Sequence, residues 1–159
     1  MNNIVEIYTD GAASGNPGPG GYGVVMKYKG QRKEISQGFR LTTNNRMELM
    51  SVIVALNALK KEGLHVVVYS DSKYVVDAIN LGWLNNWVKI GFKAKANVDL
   101  WKLMLAVLRK HYVKFVWVKG HASNVENNRC DELAVAASRS SNLLIDEGYE
   151  ASQKNEKQR

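Results

Sequence analysis

A run of three β-branched residues limits the folds that are open to this chain. Val66, Val67 and Val68 stand together in the segment from His65 to Asp71, without alternation of apolar and polar residues. A strand of this kind is usually covered on both faces and is typical of the centre of a parallel sheet. Helices must then pack on both sides of the sheet, so the run favours an α/β fold.

The residues before this run predict an antiparallel meander. From Ile4 to Asp10 the side chains alternate in the pattern of a strand, with Val5, Ile7 and Thr9 on one face. The glycine- and proline-rich residues 15–21 predict a tight turn. A second strand is expected at about 22–28, and a hairpin connection at 29–31 leads into a third strand that ends near residue 39.

The remaining pattern predicts four helices and two further strands. An unusually apolar helix is expected at about 46–61 after a cap at Asn44 and Asn45, followed by the strand that holds the valine run. Helices at about 72–81 and 98–110, the latter capped by Asn97 or Asp99, precede a fifth strand at 113–118. A last helix carries Cys130. The result is a five-stranded mixed sheet, an antiparallel meander plus parallel strands, with helices on both faces.

Length and composition predict one domain at residues 1–140 and a polar, flexible C-terminal tail at 141–159. Lys and Arg outnumber Asp and Glu by 22 to 15, which favours a polyanionic partner such as nucleic acid. Cys130 is the only cysteine, which excludes an internal disulfide and removes the usual ligands of a structural zinc site. Without a signal-peptide pattern or a long apolar segment, we expect a cytoplasmic monomer and no membrane contact.

Two carboxylates end predicted strands, and a third lies inside a helix. Asp10 and Asp71 would converge if their strands lie side by side and parallel, because open α/β sheets place ligand sites at the carboxyl ends of such strands. Glu48 heads an apolar stripe of the first helix, so its charge needs a partner. Arg46 is one candidate for that partner, and a metal ion is another.

Asp131 and Glu132 lie in the first turn of the last helix, where acidic groups suit the helix dipole with or without a chemical role. Spacing alone does not choose between them. Clustered carboxylates repel one another unless hard cations neutralise them. Two Mg²⁺ ions about 4 Å apart can stabilise the attacking and the leaving oxygen in phosphodiester hydrolysis.

Several motifs now carry a family resemblance. They are Tyr8-Thr9-Asp10-Gly11, the residues 15–21, Thr42-Thr43-Asn44-Asn45-Arg46-Met47-Glu48-Leu49, Tyr69-Ser70-Asp71-Ser72, Asn97-Val98-Asp99-Leu100-Trp101, Trp117-Val118-Lys119-Gly120-His121-Ala122, and the residues 127–134. In this order, over about residues 3–140, they closely resemble bacterial type 1 ribonuclease H (ribonuclease HI).

The resemblance implies a ribonuclease H-like fold and an endonuclease that cuts the RNA strand of RNA/DNA hybrids, leaving 5′-phosphate and 3′-hydroxyl ends. It implies two Mg²⁺ ions, with Mn²⁺ as a substitute, and it leaves Glu132 outside the metal-binding set. It also implies that His121 assists catalysis as a proton shuttle or in product release, which a near-neutral pKa suits. The implied metal-binding carboxylates are Asp10, Glu48, Asp71 and Asp131.

The segment 83–95 resembles the family's basic handle for substrate. Its lysines are Lys89, Lys93 and Lys95, its aromatic residues include Trp83 and Trp87, and it contains no acid. Lysines neutralise phosphates, and aromatic rings pack on sugars or bases. The alternative is a solvated helix with a tryptophan in the core.

Further substrate contacts come from the resemblance alone. It places Asn16 and Asn45 at the RNA side of the minor groove. It also counts Asn44, the neighbour of Asn45 in the same motif, among the substrate-binding residues. It places Thr43 and Asn97 at a DNA phosphate, and Trp83 and Trp101 beside the DNA strand. Asn16 could equally serve only a turn, and Trp101 could equally fill the core.

Two positions depart from the family pattern. Leu41 stands where related bacterial enzymes often carry an arginine near the phosphate pocket, and Lys73 stands where they often carry glutamine. Arg40 is a candidate substitute for the first cation. Lys73 is expected to strengthen contact with a phosphate, so both departures predict altered affinity more than altered chemistry.

Two rival functions stay open from the sequence. One is an enzyme of the same fold with another substrate, such as a transposase or integrase core or a proofreading exonuclease, because these also use clustered acids and metal ions. The other is a protein that binds hybrids without cutting them. A panel of nucleic-acid substrates separates these possibilities.

Overall fold

The computed structural model describes residues 3–120 and 123–157. Within these ranges none of the helices has both the length and the apolar character needed to cross a membrane. The strands are β1 (Ile4–Ala13), β2 (Gly18–Tyr28), β3 (Gln31–Thr42), β4 (His65–Ser70) and β5 (Tyr112–Trp117). The helices are α1 (Asn44–Asn57), α2 (Lys73–Asn80), α3 (Trp83–Lys89), α4 (Val98–Leu108), α5 (Val125–Ser138) and α6 (Glu147–Lys157).

The strands form one five-stranded sheet in the order β3-β2-β1-β4-β5. β1, β2 and β3 pair antiparallel, whereas β4 runs parallel to both β1 and β5. The predicted mixed sheet is therefore confirmed. The connection from β3 through α1 brings the chain back beside β1, which is what makes the parallel pair possible.

The valine run lies in β4, but it is not covered equally on its two faces. Val66 and Val68 are buried beneath the helices, whereas Val67 is only half-buried. α5 packs over β1, β2 and β3 on the face to which Val67 belongs. The expectation of a strand covered on both faces is therefore wrong for this side of β4.

Helix α1 is the centre of the core, as its apolar sequence predicts. Met47, Leu49, Val52 and Leu56 are all at most 2% exposed, and the helix packs against β1, β2 and α4. Its ends differ from prediction. Thr43, not the asparagine pair, caps it by accepting from the Arg46 backbone N–H, and it stops at Asn57 rather than at residue 61.

The start of α4 also differs from prediction. Asn97 precedes the helix in a left-handed conformation with φ 62°, and its side chain caps no backbone N–H. The Asn97 amide instead donates to the Tyr74 hydroxyl at 3.1 Å. The side chain is thus used to join α4 to α2.

The predicted loose tail is wrong for most of its length. Leu144 exchanges backbone hydrogen bonds of 2.9 Å with β3, donating to Gly38 and accepting from Arg40, and the chain then forms α6. Asp146, only 2% exposed, accepts from Arg46 Nε at 2.8 Å and from Thr42 Oγ1 at 2.7 Å. The polar composition hid this packing because a buried ion pair, and not an apolar stripe, anchors the segment.

A buried ion cluster joins three parts of the fold. The Arg46 guanidinium, 4% exposed, binds Asp146 before α6 and also Asp99 of α4, whose side chain is 46% exposed. The arginine holds the pKa of Asp99 below its usual range. A side chain on Gly148 would collide with Asp99 Oδ2, so the glycine lets α6 approach the cluster.

We expect Asp146→Ala to lower the free energy of unfolding by about 3 kcal/mol, because the buried Arg46 guanidinium would lose the more buried of its two carboxylate partners. Asp99→Ala is the matched control and should cost clearly less, because Asp99 is half exposed to water. Urea unfolding of both variants measures the difference. Equal losses would contradict the view that burial of the Asp146 pair anchors α6.

Candidate active site

Asp10 and Asp71 stand next to each other at one end of the parallel pair. The last paired residues of β1 and β4 are Thr9 and Ser70, and each is followed by an aspartate. From there β1 continues only as the partner of β2, so the sheet opens between the two aspartates. The predicted convergence of the two strand ends is confirmed.

Glu48 reaches the same point from α1, which lies unusually close to β1. A Cβ atom on Gly11 would fall 2.4 Å from the Met47 carbonyl carbon and 2.5 Å from the Glu48 backbone nitrogen. Only glycine permits this approach. In the described part of the chain, oxygens of Asp10, Glu48 and Asp71 lie within 4.8 Å of one another and form a possible metal-binding group.

Asp131 lies at the rim of this group on α5. The helix is held against β1 because Cys130 Sγ lies 3.2 Å from the Tyr8 carbonyl oxygen. It crosses Gly23 of β2, where a Cβ atom would fall 2.2 Å from the Cys130 carbonyl oxygen. Glu132 points elsewhere and pairs with Arg129 at 3.1 Å.

The carboxylates line an open depression of about 330 Å³. Its lining combines the four acidic residues with residues from the end of β1 and from the starts of α1 and α2. These residues are Asp10, Gly11, Ala12, Asn44, Asn45, Glu48, Asp71, Ser72 and Asp131.

The proximity of the carboxylates makes their ionised forms unfavourable. Burial and the charge of Asp71 raise the pKa of Asp10 to about 8, and the charge of Asp131 adds to the effect. Burial and the charges of Asp10 and Asp71 raise the pKa of Glu48 well above its usual range. The cluster therefore favours any cation that could neutralise it.

Arg46 is not that cation. Its guanidinium faces away from Glu48 and binds the two aspartates of the ion cluster. Glu48 Oε1 is buried and has no hydrogen-bond partner among the described residues. An all-oxygen group with an unpartnered buried carboxylate oxygen is the donor set that Mg²⁺ and Mn²⁺ prefer, so the residues fit a divalent ion.

The loop between β5 and α5 touches this site. A Cβ atom on Gly120 would lie 2.7 Å from Asp71 Oδ2. His121, the predicted proton carrier, and Ala122 lie outside the described residues. The neighbouring glycine brings the chain into contact with Asp71 immediately before His121.

A second depression of about 740 Å³ contains several predicted substrate residues. Asn16, Thr43, Asn45, Lys95 and Asn97 line it, and α6 closes one side. Asn45 lines both depressions and so links them.

Two asparagines, Asn16 in the loop after β1 and Asn44 at the start of α1, order the surface between the depressions. Asn16 Oδ1 accepts from the Asn44 backbone N–H at 3.0 Å, and Asn44 Oδ1 accepts from the Ala13 N–H. Arg40, the candidate substitute cation, donates to Glu150 of α6 at 2.8 Å.

The predicted basic handle is an exposed projection. Lys89, Lys93 and Lys95 are exposed, and none has a carboxylate within 4.0 Å in the described part of the protein. Lys95 Nζ lies 5.0 Å from the centre of the Trp87 ring. Trp83 is 42% exposed, so these residues are available to a partner.

Trp101 is fully buried and has no surface to offer to a DNA strand, so the prediction of a substrate contact is wrong. Its side chain is 0% exposed, and its Nε1 donates to the Tyr74 hydroxyl at 2.9 Å. The ring packs edge-on against Trp87 at 5.3 Å between centres. Trp101 therefore supports the handle from within the core.

Two features were missed by the sequence reasoning. One is Asp146, for which the apolar triplet Leu143-Leu144-Ile145 in an otherwise polar segment was the available signal. The other is Trp117, whose motif was noted but whose position was not. Its Nε1 donates to the Asp71 backbone oxygen at 3.1 Å, beside the acidic cluster.

We expect the metal-free protein to lose stability between about pH 4 and pH 8. The folded-state pKa of Asp10 lies above its ordinary value of 3.8. Below pH 3.8 the carboxyl is neutral in both the folded and the unfolded protein, so the folded state keeps the full stability that the neutral carboxyl allows. This stability is lost as the pH rises towards 8. Asp10→Asn should therefore raise the stability of the metal-free protein at pH 8 by about 2 kcal/mol, with little change at pH 4.

Thermal unfolding in chelator at the two pH values measures this effect, with Asp77→Asn on α2 as a control away from the cluster. A loss of stability in Asp10→Asn at pH 8 would contradict the assigned repulsion.

Comparison with known proteins agrees with these observations. The family model for RNase H matches residues 2–139. Ribonuclease H of Desulforamulus reducens is 56% identical over 147 residues, which cover 89% of this chain and 92% of that protein. Ribonuclease HI of a Synechocystis species is 52% identical over 153 residues, covering 92% of this chain and 95% of the other.

Solved structures show the same likeness. LC9-RNase H1, described as a type 1 RNase H with the type 2 active-site motif, has a TM-score of 0.78 and 34% identity, covering 95% of this chain and 81% of that chain. LC11-RNase H1, solved in complex with an RNA/DNA hybrid, has a TM-score of 0.63 and 28% identity, covering 84% and 95%.

Proposed function

The chain belongs to the ribonuclease H family, endoribonucleases that cleave RNA in RNA/DNA hybrids, and we propose that it does so by two-metal-ion hydrolysis. The products would be 5′-phosphate and 3′-hydroxyl ends. The observation that carries this proposal is the meeting of Asp10, Glu48 and Asp71, with oxygens within 4.8 Å of one another. The residues to which we assign catalysis all lie within residues 1–140, whereas the fold itself extends through α6.

Asp10, Glu48, Asp71 and Asp131 would hold the metal ions. Glu48 supplies a buried oxygen that has no other partner in the described chain, and Asp131 adds charge from the rim. When bound, two Mg²⁺ ions supply Lewis-acid stabilisation of the attacking and leaving oxygens, and Mn²⁺ is a plausible substitute because it also prefers oxygen ligands.

The chain's own groups fix the carboxylates and handle protons. The sheet sets Asp10 beside Asp71, and the close contact at Gly11 sets Glu48 above them. We assign to His121 the transfer of a proton or assistance in product release, because an imidazole titrates near neutral pH. The contact of Gly120 with Asp71 supports a position of this loop beside the reacting phosphate.

The two linked depressions suit the two strands of a hybrid. With the RNA strand over the carboxylates, Asn16, Asn44 and Asn45 would face the minor groove. The DNA strand would then lie at the second depression, where Thr43 and Asn97 would hold a phosphate. A wide minor groove exposes both backbones and the 2′-hydroxyls to such a surface.

The handle and Lys73 would add affinity. Lys89, Lys93 and Lys95 carry exposed charges beside Trp83, and lysines at phosphates release counterions. The resemblance to LC11-RNase H1, which was solved with an RNA/DNA hybrid, supports a hybrid as the partner. The cytoplasmic location and the monomeric state stay predictions.

We expect the protein with Mg²⁺ to cleave the RNA strand of a labelled hybrid and to leave double-stranded DNA, double-stranded RNA and single strands intact. Chelator and Asp71→Asn should each reduce cleavage by at least about 1000-fold, because each removes a metal or a metal ligand. A gel assay that resolves the end groups measures both points. Cutting of DNA would favour a transposase-like enzyme, and tight hybrid binding without cutting would favour a binding protein.

Replacement of Lys89, Lys93 and Lys95 by alanine should weaken hybrid binding and reduce the slope of log affinity against log salt by up to about 3, roughly one for each lost phosphate contact. The matched control removes the same charge from Lys33, Lys60 and Lys61, exposed lysines away from the acidic cluster. Salt titrations of binding in chelator give the slopes. Equal slopes in the two triple variants would count against the handle.

A further inference from the structure

Trp117, at the end of β5, touches two residues at the rim of the acidic cluster. Its indole Nε1 donates to the Asp71 backbone oxygen at 3.1 Å. Its ring face holds the Lys73 ammonium, with Nζ 4.9 Å from the ring centre. The side chain is 42% exposed, so it is not needed to fill the core. The Trp117 side chain therefore contacts both Asp71, a candidate metal ligand, and Lys73, the basic residue nearest to Asp71 in sequence.

The position of Lys73 is unexpected on charge alone. Asp71 lies two residues before it and Asp77 lies one helical turn after it, and the cluster beyond Asp71 is strongly acidic. Yet in the part of the chain that the structure describes, no carboxylate oxygen lies within 4.0 Å of Lys73 Nζ. The ammonium rests on an aromatic face instead.

We propose that Trp117 is a positioning residue that keeps the Lys73 ammonium off the Asp71 carboxylate. This inference rests on the proposed function. With Lys73 held on the ring, the carboxylates stay free to bind divalent metal, and the ammonium is presented at the rim to a backbone phosphate of the hybrid.

An aromatic face suits this role better than a carboxylate would. The ring attracts a cation through its quadrupole but carries no net charge. It therefore orients the ammonium without neutralising it, whereas an ion pair would remove charge from both the lysine and the metal site. The interaction at an exposed ring is weak enough for a phosphate to recruit the ammonium.

By the family resemblance described in the sequence analysis, Lys73 stands where a glutamine is the usual residue. A neutral amide beside the cluster would not compete with a metal ion. A lysine would compete with the metal ion for the carboxylates. Its ammonium therefore needs another binding surface, whereas a glutamine side chain does not. The ring of Trp117 provides that surface.

Titration of the metal-free protein with Mn²⁺ by calorimetry, without nucleic acid, tests the inference. We expect Trp117→Leu to weaken Mn²⁺ binding by about twofold to fivefold, the range that an exposed cation–π contact implies. Lys73→Gln/Trp117→Leu should bind Mn²⁺ as tightly as Lys73→Gln alone, because no ammonium is left to reach Asp71. Trp117→Phe, which keeps a ring but loses the N–H donor, should remain close to the wild type.

The same loss in Trp117→Leu with and without Lys73 would overturn the inference, because the ring would then act only through the Asp71 backbone. An unchanged affinity in Trp117→Leu would also overturn it. Trp83→Leu is the matched control, since Trp83 is likewise 42% exposed, and its Mn²⁺ affinity should not change. Circular dichroism confirms that each variant is folded.

Binding of a hybrid in chelator tests the phosphate side. Lys73→Gln, Trp117→Leu and the double variant should each weaken binding by a similar factor, because each removes either the Lys73 charge or the ring that keeps this charge at the rim. Additive losses would contradict the coupling. Failure of the wild type to cleave a hybrid would reject the proposed function, whereas the Mn²⁺ comparison would still judge the role of the ring.

Discussion

Mutual repulsion among buried carboxylates is the constraint around which this protein is built. Asp10 and Asp71 stand at the ends of two strands and Glu48 comes from a helix, and burial together with the neighbouring charges raises the pKa of Asp10 and Glu48. Their positions are fixed by the backbone, because a parallel strand pair and a close helix–strand contact leave little freedom to relax. The fold thus holds a group of charges whose main source of relief is a bound cation.

The nearby cations are each kept away from that group. Arg46 lies two residues before Glu48, but its guanidinium binds Asp99 of α4 and the buried Asp146 before α6 instead. Lys73 lies two residues after Asp71, and the Trp117 ring holds it at the rim. In both cases another partner binds the cation, which by our proposals leaves the carboxylates open to a metal ion.

Separation of charge also organises the proposed substrate surface. The second depression and the basic handle are joined through the core by Tyr74, Trp87 and Trp101, which contact one another by ring packing and a hydrogen bond. Trp101 therefore contributes to the handle as a buried support. The same chain of contacts reaches Asn97 at the second depression, so the handle and the surface proposed for the DNA strand rest on the same buried aromatic residues.

The sequence by itself determined the antiparallel meander, the mixed sheet and the convergence of Asp10 and Asp71. These are local consequences of period, turn chemistry and strand ends, and the family motifs added Glu48 and Asp131. Only the tertiary structure decided which groups are partners. It joined Arg46 to Asp146 across 100 residues, buried Trp101 and set Lys73 on Trp117, because the side chain that occupies a given space depends on contacts distant in sequence. The polar tail shows the same limit, since one buried aspartate, invisible to any periodic pattern, converts it into part of the fold.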